Sequence, residues 1–356
     1  MKVLIMAGGT GGHVFPALAI ATALKNEGHE ILWLGTRGRM EEKLVPKYGF
    51  DIRYIDVRGI RGNGLKIKLK APFMLIHALS QALRVIREFK PDVALGMGGY
   101  ASGPGGVACK LKGIPLCLHE QNAAAGLTNR LLFKIATRVL LGFEGAFEGS
   151  KVSVVGNPVR AEIMALHGAK HDFKRDDVLH LLVVGGSLGA RYLNEHLPLY
   201  FKTYAEKSGA KLCVTHQCGA GNQDRVAALY ADAPFKATVS DFIHDMREVY
   251  AKADLIVCRA GALTVAELTC AGVPPVFVPL PTAVDDHQTK NALSLVKAGA
   301  AKLIAQSELS EETLSATLNE LNDREVLERM SQSLYASAHL DATARVCQLL
   351  KEIAGV

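Results

Sequence analysis

The composition of this 356-residue chain indicates a globular protein with material for about two domains. Its 49% hydrophobic and 21% charged residues exclude a disordered chain. The net charge of +6 is unevenly distributed, because residues 1–158 hold 21 Lys or Arg against 11 Asp or Glu, whereas the remainder holds 20 against 24. A basic first half predicts a polyanionic partner such as phosphate groups, nucleic acid or an anionic membrane surface.

Several protein classes are excluded by what the sequence lacks. No run of about 18 uncharged apolar residues occurs, which excludes a membrane-spanning helix. The stretch MKVLIM before the first glycines favours a β-strand over a signal peptide, so we expect a cytosolic protein. Seven cysteines without a Cys-x-x-Cys pair are typical of reduced, buried thiols. His167 and His171 have the spacing of a metal-ligand pair but lie in a polar stretch, and we expect no metal there.

The first elements in chain order form a strand–helix–strand unit. Lys2–Met6 and Glu30–Leu34 are short buried-strand runs, and Pro16–Lys25 between them has helical spacing. Further strands are predicted at 92–95, 115–118 and 139–141, each followed by a glycine-rich or polar loop. Such units build parallel sheets that bind ligands at the carboxyl ends of their strands. The pattern predicts an α/β protein.

A second cycle of the same kind follows the charged segment 171–177. Its strands are predicted at 180–184, 211–215, 255–258 and 275–278. We therefore expect two Rossmann-like domains, residues 1–158 and 159–337, with a hinge near Pro158. The final stretch, 325–354, is helical by pattern, and we expect a C-terminal helix at about 338–356 to pack back on the first domain.

The first glycine loop, Gly8-Gly9-Thr10-Gly11-Gly12-His13, lies between a strand and a helix, where free backbone N–H groups can bind an anion or a sugar. A dinucleotide fingerprint fails because Val14 occupies its third glycine position. The second strand ends without an acidic ribose ligand, although Arg37 leaves NADP open. No Gly-x-x-x-x-Gly-Lys-Ser/Thr motif occurs, which excludes a P-loop enzyme. Tight turns that only pack helix on sheet are the alternative interpretation.

The second half repeats this arrangement at Gly185-Gly186-Ser187, where a hydroxyl is added. Arg160 is a candidate partner that could neutralise a diphosphate together with a helix dipole, although it could also be a solvated surface cation. No Asp-x-Asp pair occurs, so we expect no bridging metal. Glu267 lies in the helix predicted after Arg259; it could accept two ribose hydroxyls or simply favour the helix dipole.

Seven motifs carry a resemblance to a known family: GGTGGHVFPALAIA (8–21), MGGYASGPGG (97–106), LHEQNAAAGLTNR (118–130), VGNPVR (155–160), VVGGSLGAR (183–191), CRAGALTVAE (258–267) and DDHQTKNA (285–292). Together they resemble the MurG family, the bacterial undecaprenyldiphospho-muramoylpentapeptide β-N-acetylglucosaminyltransferases of glycosyltransferase family 28. The resemblance spans the chain in order, except for about 161–178 and the last fifty residues.

The resemblance implies a GT-B fold, in which two Rossmann-like domains with parallel sheets are separated by a deep cleft. It implies inverting transfer of N-acetylglucosamine from UDP-GlcNAc to the 4-hydroxyl of MurNAc in undecaprenyl-diphospho-MurNAc-pentapeptide (lipid I), giving lipid II and UDP without a metal or other cofactor. The first domain would bind lipid I at the cytoplasmic face of the plasma membrane, and the second would bind UDP-GlcNAc. Cell-wall synthesis and division proteins are the implied protein partners.

Site residues are also implied by the resemblance. The positions that match UDP-GlcNAc contacts are Thr10, Gly11, Gly12, Asn122, Arg160, Ser187, Ile243, Ala262, Leu263, Thr264, Val265, Ala266, Glu267 and Gln288. Those on the acceptor side are Tyr100, Ser102 and Asn129. The sequence departs from the family pattern at Asp285-Asp286-His287, just before Gln288.

An inverting transfer needs a general base for the acceptor hydroxyl. The candidates are His13, beside the glycine loop, and His119 or Glu120 in the HEQN stretch. We favour His13, with a histidine that only hydrogen-bonds sugar or backbone as the alternative.

The segment 58–90 holds eight Lys or Arg and one acid, Glu88. Residues 72–89 plot as a helix whose predicted core stripe is Leu75, Leu79, Ala82, Leu83 and Ile86, with Phe73 on the opposite side beside His77 and Arg84. This pattern predicts a surface that docks on anionic lipid, with a solvated helix face as the alternative. A nucleic-acid-binding protein is disfavoured because no aromatic residues are interleaved with the cations. Another GT-B transferase with a lipid or natural-product acceptor is the nearest enzyme alternative.

Overall fold

The computed structural model describes residues 1–57, 65–169, 172–173, 176–186 and 189–356, with side chains described outside 65–71. The chain divides into two compact units, residues 1–160 together with 339–356, and residues 161–338. Each unit contains one sheet whose described strand pairs are all parallel. The α/β class predicted from the sequence is confirmed.

The sheet of the first unit has the strand order β3-β2-β1-β4-β5-β6-β7. Its strands are β1 Lys2–Met6, β2 Glu30–Gly35, β3 Asp51–Tyr54, β4 Val93–Gly96, β5 Leu116–Glu120, β6 Arg138–Leu141 and β7 Val152–Val154. The chain direction across the sheet reverses between β1 and β4, which makes the carboxyl ends of these strands a topological switch point. Parallel α/β sheets bind their ligands at such a point.

The helices of the first unit, with labels that follow chain order through both units, are α1 Gly11–Asn26, α2 Met40–Lys47, α3 Leu65–Phe89, α4 Ser102–Leu111, α5 Leu127–Phe133 and α14 Ala342–Ala354. Helix α1 begins within the glycine loop and not at Pro16, which places His13 in its first turn. Helix α14 packs against α1, and its Val346, Cys347 and Leu350 are buried in the core of this unit.

The sheet of the second unit has the order β10-β9-β8-β11-β12-β13, with its switch point between β8 and β11. Its strands are β8 Val178–Val184, β9 Lys211–Gln217, β10 Lys236–Ser240, β11 Leu255–Cys258, β12 Pro275–Phe277 and β13 Lys302–Leu303. Its helices are α6 Ala161–Met164, α7 Arg191–Ser208, α8 Gln223–Leu229, α9 Met246–Lys252, α10 Ala262–Ala271, α11 His287–Lys297, α12 Glu311–Leu321 and α13 Arg324–Ala336.

Two predictions about helices are wrong. The stretch 325–354 is not one helix, because α13 ends at Ala336 and α14 begins at Ala342. The two helices belong to different units, and apolar periodicity does not mark where a chain leaves one core for another. On α3, Leu75 is 41% exposed instead of buried, and the buried residues are Ala78, Ala82, Val85 and Ile86. Helix α3 packs against α4, and two of the four buried residues in its described part are alanines, which a hydrophobicity pattern does not single out as core residues.

None of the helices in the described ranges is both long and apolar enough to cross a bilayer.

Candidate functional site

The glycine loop of the first unit is held by a buried carboxylate that the sequence analysis missed. Glu41, on α2, is fully buried, and its Oε2 accepts a hydrogen bond of 2.9 Å from the Gly9 N–H. Its Oε1 accepts from the backbone and hydroxyl of Thr36 at 3.1 and 2.8 Å. The first N–H groups of a helix have no hydrogen-bond partner within the helix. In α1 these are the amides of Gly11 and Gly12, which can therefore donate to a ligand.

The loops after β1 and β4 meet through glycines. Gly98 and Gly99 have φ of +93° and +85°, which side chains rarely adopt. A Cβ on Gly99 would lie 2.5 Å from the Gly8 carbonyl oxygen. A Cβ on Gly98 would lie 3.0 Å from Cε1 of His13, so the His13 ring packs directly on this glycine.

Of the positions implied to lie on the acceptor side, two are buried and one is exposed. Ser102 is fully buried, and its hydroxyl lies within hydrogen-bond distance of the carbonyls of Met6 and Gly98. Asn129 is 2% exposed and donates from Nδ2 to Glu120 Oε2 at 2.9 Å. Tyr100 is 42% exposed, and the Arg39 guanidinium lies 5.7 Å from its ring centroid. Ser102 and Asn129 therefore support the loops, whereas Tyr100 is accessible.

The carboxylate of Glu120 organises the loop that follows β5. Its Oε1 accepts from the backbone and side-chain N–H groups of Asn122 at 3.1 and 3.3 Å. Its Oε2 accepts from the Gly126 N–H at 3.0 Å and from Asn129. Because both oxygens are engaged and the side chain is 2% exposed, this geometry favours a structural role over that of a base.

His119 is fully buried beside it, and Nε2 lies 3.0 Å from the carbonyl oxygen of Gly156. Burial lowers the pKa of His119 to about 4, so the ring is neutral at physiological pH.

A glutamine joins the two histidines. Oε1 of Gln121 lies 2.9 Å from Nδ1 of His13. Nε2 of Gln121 lies 3.1 Å from the backbone carbonyl oxygen of His119 and 3.2 Å from Nδ1 of its ring. Gln121 is 1% exposed. The three base candidates are thus close together, and the sequence analysis missed the amide between them, although it lies directly after the predicted strand.

Arg160 contacts an aromatic ring in the first unit. Its guanidinium lies 5.5 Å from the ring centroid of Phe15 on α1, within the range of a cation–π interaction. This contact places the cation beside the first turns of α1.

In the second unit, Gln217 ties together two loops at the carboxyl edge of the sheet. Its Nε2 donates to the Gly186 carbonyl at 3.3 Å, and its Oε1 accepts from the Ile243 N–H at 2.9 Å. Ser187, the predicted diphosphate contact, lies outside the described residues, as does His171. Gln217 is a second buried amide that the sequence analysis missed.

The first turns of α10 contain the predicted nucleotide-sugar positions 262–267. Gly261 is the N-cap and provides no side-chain cap, so the first N–H groups of α10 receive no capping side chain. Glu267 is 5% exposed, and its Oε2 accepts from the Tyr250 hydroxyl at 3.1 Å. Gln288, at the start of α11, accepts from the Leu280 N–H at 2.9 Å.

The cation after β11 is buried. The guanidinium of Arg259 donates to the carbonyls of Val278 and Pro279 and to Oε1 of Gln306 at 2.9, 3.0 and 2.6 Å. Burial lowers its pKa. Arg259 therefore braces the loop after β12 next to the N-terminus of α10. No group of three or more metal-ligating side chains occurs in the part of the chain that the structure describes.

Comparison with known families shows to which family the chain belongs. Residues 3–141 match the glycosyltransferase family 28 N-terminal domain, and residues 180–346 match the glycosyltransferase family 28 C-terminal domain. The chain belongs to glycosyltransferase family 28. The family resemblance drawn from the seven motifs is therefore confirmed.

Relatives within this family match over nearly the full length. The chain is 54% identical over 354 residues to the UDP-N-acetylglucosamine–N-acetylmuramyl-(pentapeptide) pyrophosphoryl-undecaprenol N-acetylglucosamine transferase of Aeromonas hydrophila, covering 99% of this chain and 97% of that protein. It is 54% identical over 348 residues to the enzyme of the same name from Shewanella loihica, covering 97% and 95%.

Among solved structures, MurG of Acinetobacter baumannii matches with a TM-score of 0.86 at 44% identity, covering 99% of each chain. A UDP-GlcNAc 2-epimerase from Neisseria meningitidis matches with a TM-score of 0.70 at 15% identity, covering 99% of this chain and 100% of that one. The second match bears on the fold alone. The predicted GT-B fold is confirmed by the match to MurG of Acinetobacter baumannii together with the two family 28 domains.

Proposed function

We propose that this protein transfers N-acetylglucosamine from UDP-GlcNAc to the 4-hydroxyl of MurNAc in lipid I, giving lipid II and UDP. The observation that carries the proposal is the 54% sequence identity, over 354 residues, to the Aeromonas hydrophila enzyme that is named as the N-acetylglucosamine transferase. Each unit also contains a parallel sheet with glycine loops at its switch point, as ligand-binding α/β units require.

In this proposal the first unit binds the acceptor and His13 is the general base. His13 is partly exposed in the first turn of α1, whereas His119 is buried and Glu120 has both oxygens engaged. A base must reach the acceptor hydroxyl, and of the three side chains His13 has the accessible ring. Thr10, Gly11 and Gly12 directly precede it at the start of the helix, where developing negative charge is stabilised.

The second unit binds the donor. The uncapped N-terminus of α10 and Ser187 bind the diphosphate together with Arg160, because helix dipoles and cations stabilise phosphate without a metal. The Ile243 backbone binds uracil, Glu267 binds ribose, and Gln288 and Asn122 contact the sugar. Residues 262–266 supply the wall against which the nucleotide lies. These assignments rest on the positions that match the family motifs.

The first unit docks on the anionic cytoplasmic face of the plasma membrane through α3. Phe73, Leu75 and Ile76 are 77%, 41% and 65% exposed, and Leu111 on the adjoining α4 is 63% exposed. The described cations of this segment, Arg84, Arg87 and Lys90, are exposed on the same helix or at its end. Exposed apolar residues and cations on one helix suit an interfacial, anionic-lipid surface. Residues 58–64 and the side chains of 65–71, which include five of the eight Lys or Arg in the predicted docking segment 58–90, lie outside the described part of the chain. The cell-wall and division partners stay a prediction.

The deciding experiment measures UDP release from UDP-GlcNAc with and without a lipid I analogue. We expect release that depends on the acceptor, together with a disaccharide product of inverted anomeric configuration. Release that is independent of acceptor, or conversion of UDP-GlcNAc to its epimer, would refute the proposal. Salt-sensitive DNA binding without any UDP release would instead favour the nucleic-acid alternative.

A further inference from the structure

We infer that Gln121 is a positioning residue that fixes the tautomer of His13, so that Nε2 and not Nδ1 acts as the base. The inference rests on the proposed function, because it assigns a role to a residue that acts through His13. It follows from hydrogen bonds between groups whose donor or acceptor character is unambiguous.

The orientation of the Gln121 amide is set by the backbone of His119. A carbonyl oxygen can only accept, so the Gln121 atom that lies 3.1 Å from it must be the NH₂ group. The other amide atom is therefore the carbonyl oxygen, and it is the atom that lies 2.9 Å from Nδ1 of His13. The two ends of the Gln121 amide, which are otherwise hard to distinguish, are thus assigned by their partners.

The amide orientation then sets the proton on His13. An amide oxygen has no proton to donate, so Nδ1 of His13 must carry one and donate it to Gln121. In the neutral ring, the lone pair is left on Nε2. Among the residues that the structure describes, no group donates to this nitrogen.

The hydrogen bonds continue from Gln121 through His119 to the backbone. Because the Gly156 carbonyl can only accept, Nε2 of His119 carries the proton, and Nδ1 is free to accept from the Gln121 NH₂ group at 3.2 Å. Gly156 has φ of +83°, and a Cβ there would lie 2.3 Å from Cβ of His339. The chain of bonds thus ends on a backbone position that is packed tightly against the returning C-terminal segment.

The consequence for the reaction is a defined path for one proton. As the acceptor oxygen attacks C1 of the donor sugar, its proton passes to Nε2 of His13. The C1–O bond to the diphosphate breaks, and UDP leaves with the bonding pair. His13 is then an imidazolium whose Nδ1–H still donates to Gln121, which keeps the ring in place through the step. A neutral amide orients the ring as a carboxylate does in hydrolytic triads, but without adding a charge.

The direct test is the tautomer itself. In protein labelled with ¹⁵N-histidine, we expect the two-bond ¹H–¹⁵N correlations of His13 to show the proton on Nδ1. In Gln121→Met, which keeps the length of the side chain but cannot accept the bond, the Nε2–H form should become substantially populated. Gln348→Met, at an exposed glutamine on α14, is the matched control and should leave the His13 signals unchanged. A wild-type His13 that carries its proton on Nε2 would overturn the inference even in a fully active enzyme.

Kinetics test whether Gln121 acts through His13. We expect Gln121→Met to lower kcat on the order of 10- to 100-fold with KM for UDP-GlcNAc nearly unchanged. In a His13→Ala background the same substitution should have almost no further effect, because the group that it positions is absent. Equal losses in both backgrounds would show that Gln121 acts independently of His13 and would refute the inference.

A conservative variant separates positioning from folding. Gln121→Glu can still accept from Nδ1–H of His13, and we expect it to retain the Nδ1–H tautomer and more activity than Gln121→Met. If both variants lose activity equally while His13 keeps its wild-type tautomer, Gln121 does not position the ring. Failure of the proposed function would look different, since wild-type protein would then release no UDP on addition of acceptor.

Discussion

Oε1 of Gln121 lies 2.9 Å from Nδ1 of His13, although 108 positions separate the two residues in the chain. The contact forms because β1 and β5 end at the same edge of the sheet, on either side of β4. His13 enters from the helix that follows β1, and Gln121 is the first residue after β5. Substitutions at this edge should therefore fall into two groups. One group alters the activity of the proposed base, and the other alters the stability of the loops around it.

Glu120→Gln tests the loop role of this carboxylate. The amide would place an NH₂ group against N–H donors that now meet an oxygen, so we expect the free energy of unfolding to fall by about 1–3 kcal/mol. The pH at which activity falls on the acid side should not move, because the base is elsewhere. Denaturation followed by fluorescence of Trp33, the one tryptophan of the chain and buried in the first unit, measures the stability. Unchanged stability together with loss of most of the activity and of the acid limb would identify Glu120 as the base.

Gly99→Ala should be far more destabilising than Gly113→Ala. Both glycines have positive φ, +85° and +70°, so alanine costs about 1–2 kcal/mol of backbone strain at either position. Only at Gly99 would the added Cβ also overlap the Gly8 carbonyl, whereas nothing lies within 4 Å at Gly113. We expect a loss of about 3–5 kcal/mol for Gly99→Ala, again measured by Trp33 fluorescence. Equal losses of unfolding free energy in the two variants would show that the loops after β1 and β4 can move apart without destabilising the protein.

The fold was largely predictable from the sequence because its central strands are continuous apolar runs bounded by glycines. Strands such as β1 and β11 were predicted at their observed bounds. The strands that were not predicted lie at or next to sheet edges: in β3 exposed positions alternate with half-buried ones, and β13 has two residues. Such strands bury little apolar surface, so their sequences carry a weak signal, and pairing with a neighbour decides their conformation.

The site was predictable only in part, for a different reason. Glycines and His13 follow strands in sequence and could be placed on the carboxyl edge from the pattern alone. The buried polar residues that the sequence did not reveal hydrogen-bond to groups far away in the chain. Glu41 accepts from Gly9, and Gln217 accepts from Ile243. Gln121 likewise bonds to His13. A buried polar residue needs a partner, but one sequence does not tell which distant group supplies it.

Stability of the first unit should depend on pH through His119. The pKa of this imidazole is lowered to about 4 by burial, against 6.5 for the exposed group, so between these pH values only the unfolded chain binds the proton. The stabilising contribution is complete above pH 6.5 and decreases as pH falls, by about 1.4 kcal/mol per pH unit. His119→Gln can still donate to Gly156 but does not titrate. Between pH 6 and pH 5 the free energy of unfolding should therefore fall less in this variant than in the wild type. If the free energy of unfolding falls with pH equally in the variant and the wild type, His119 is not the source of the dependence.

Membrane docking predicts that the exposed apolar residues of α3 are needed for vesicle binding. Phe73→Glu together with Ile76→Glu should reduce sedimentation with anionic vesicles at least tenfold, because each glutamate removes apolar contact and adds repulsion. The matched control is Leu199→Glu with Leu229→Glu in the second unit, where the leucines are 59% and 41% exposed. Both double variants carry the same charge, so equal loss of binding would place the docking surface elsewhere.

Gln217→Met should weaken donor binding without changing the chemical step. The amide links the Gly186 carbonyl to the Ile243 N–H, and its loss frees two loops that are proposed to hold diphosphate and uracil. Losing this pair of bonds costs about 1–3 kcal/mol, which corresponds to a rise in KM for UDP-GlcNAc on the order of 10- to 100-fold. Because the interaction supports ground state and transition state alike, kcat should remain within about twofold. Gln332→Met, at an exposed position of α13, is the matched control. A fall in kcat with unchanged KM would show that Gln217 supports the reacting groups and not the nucleotide.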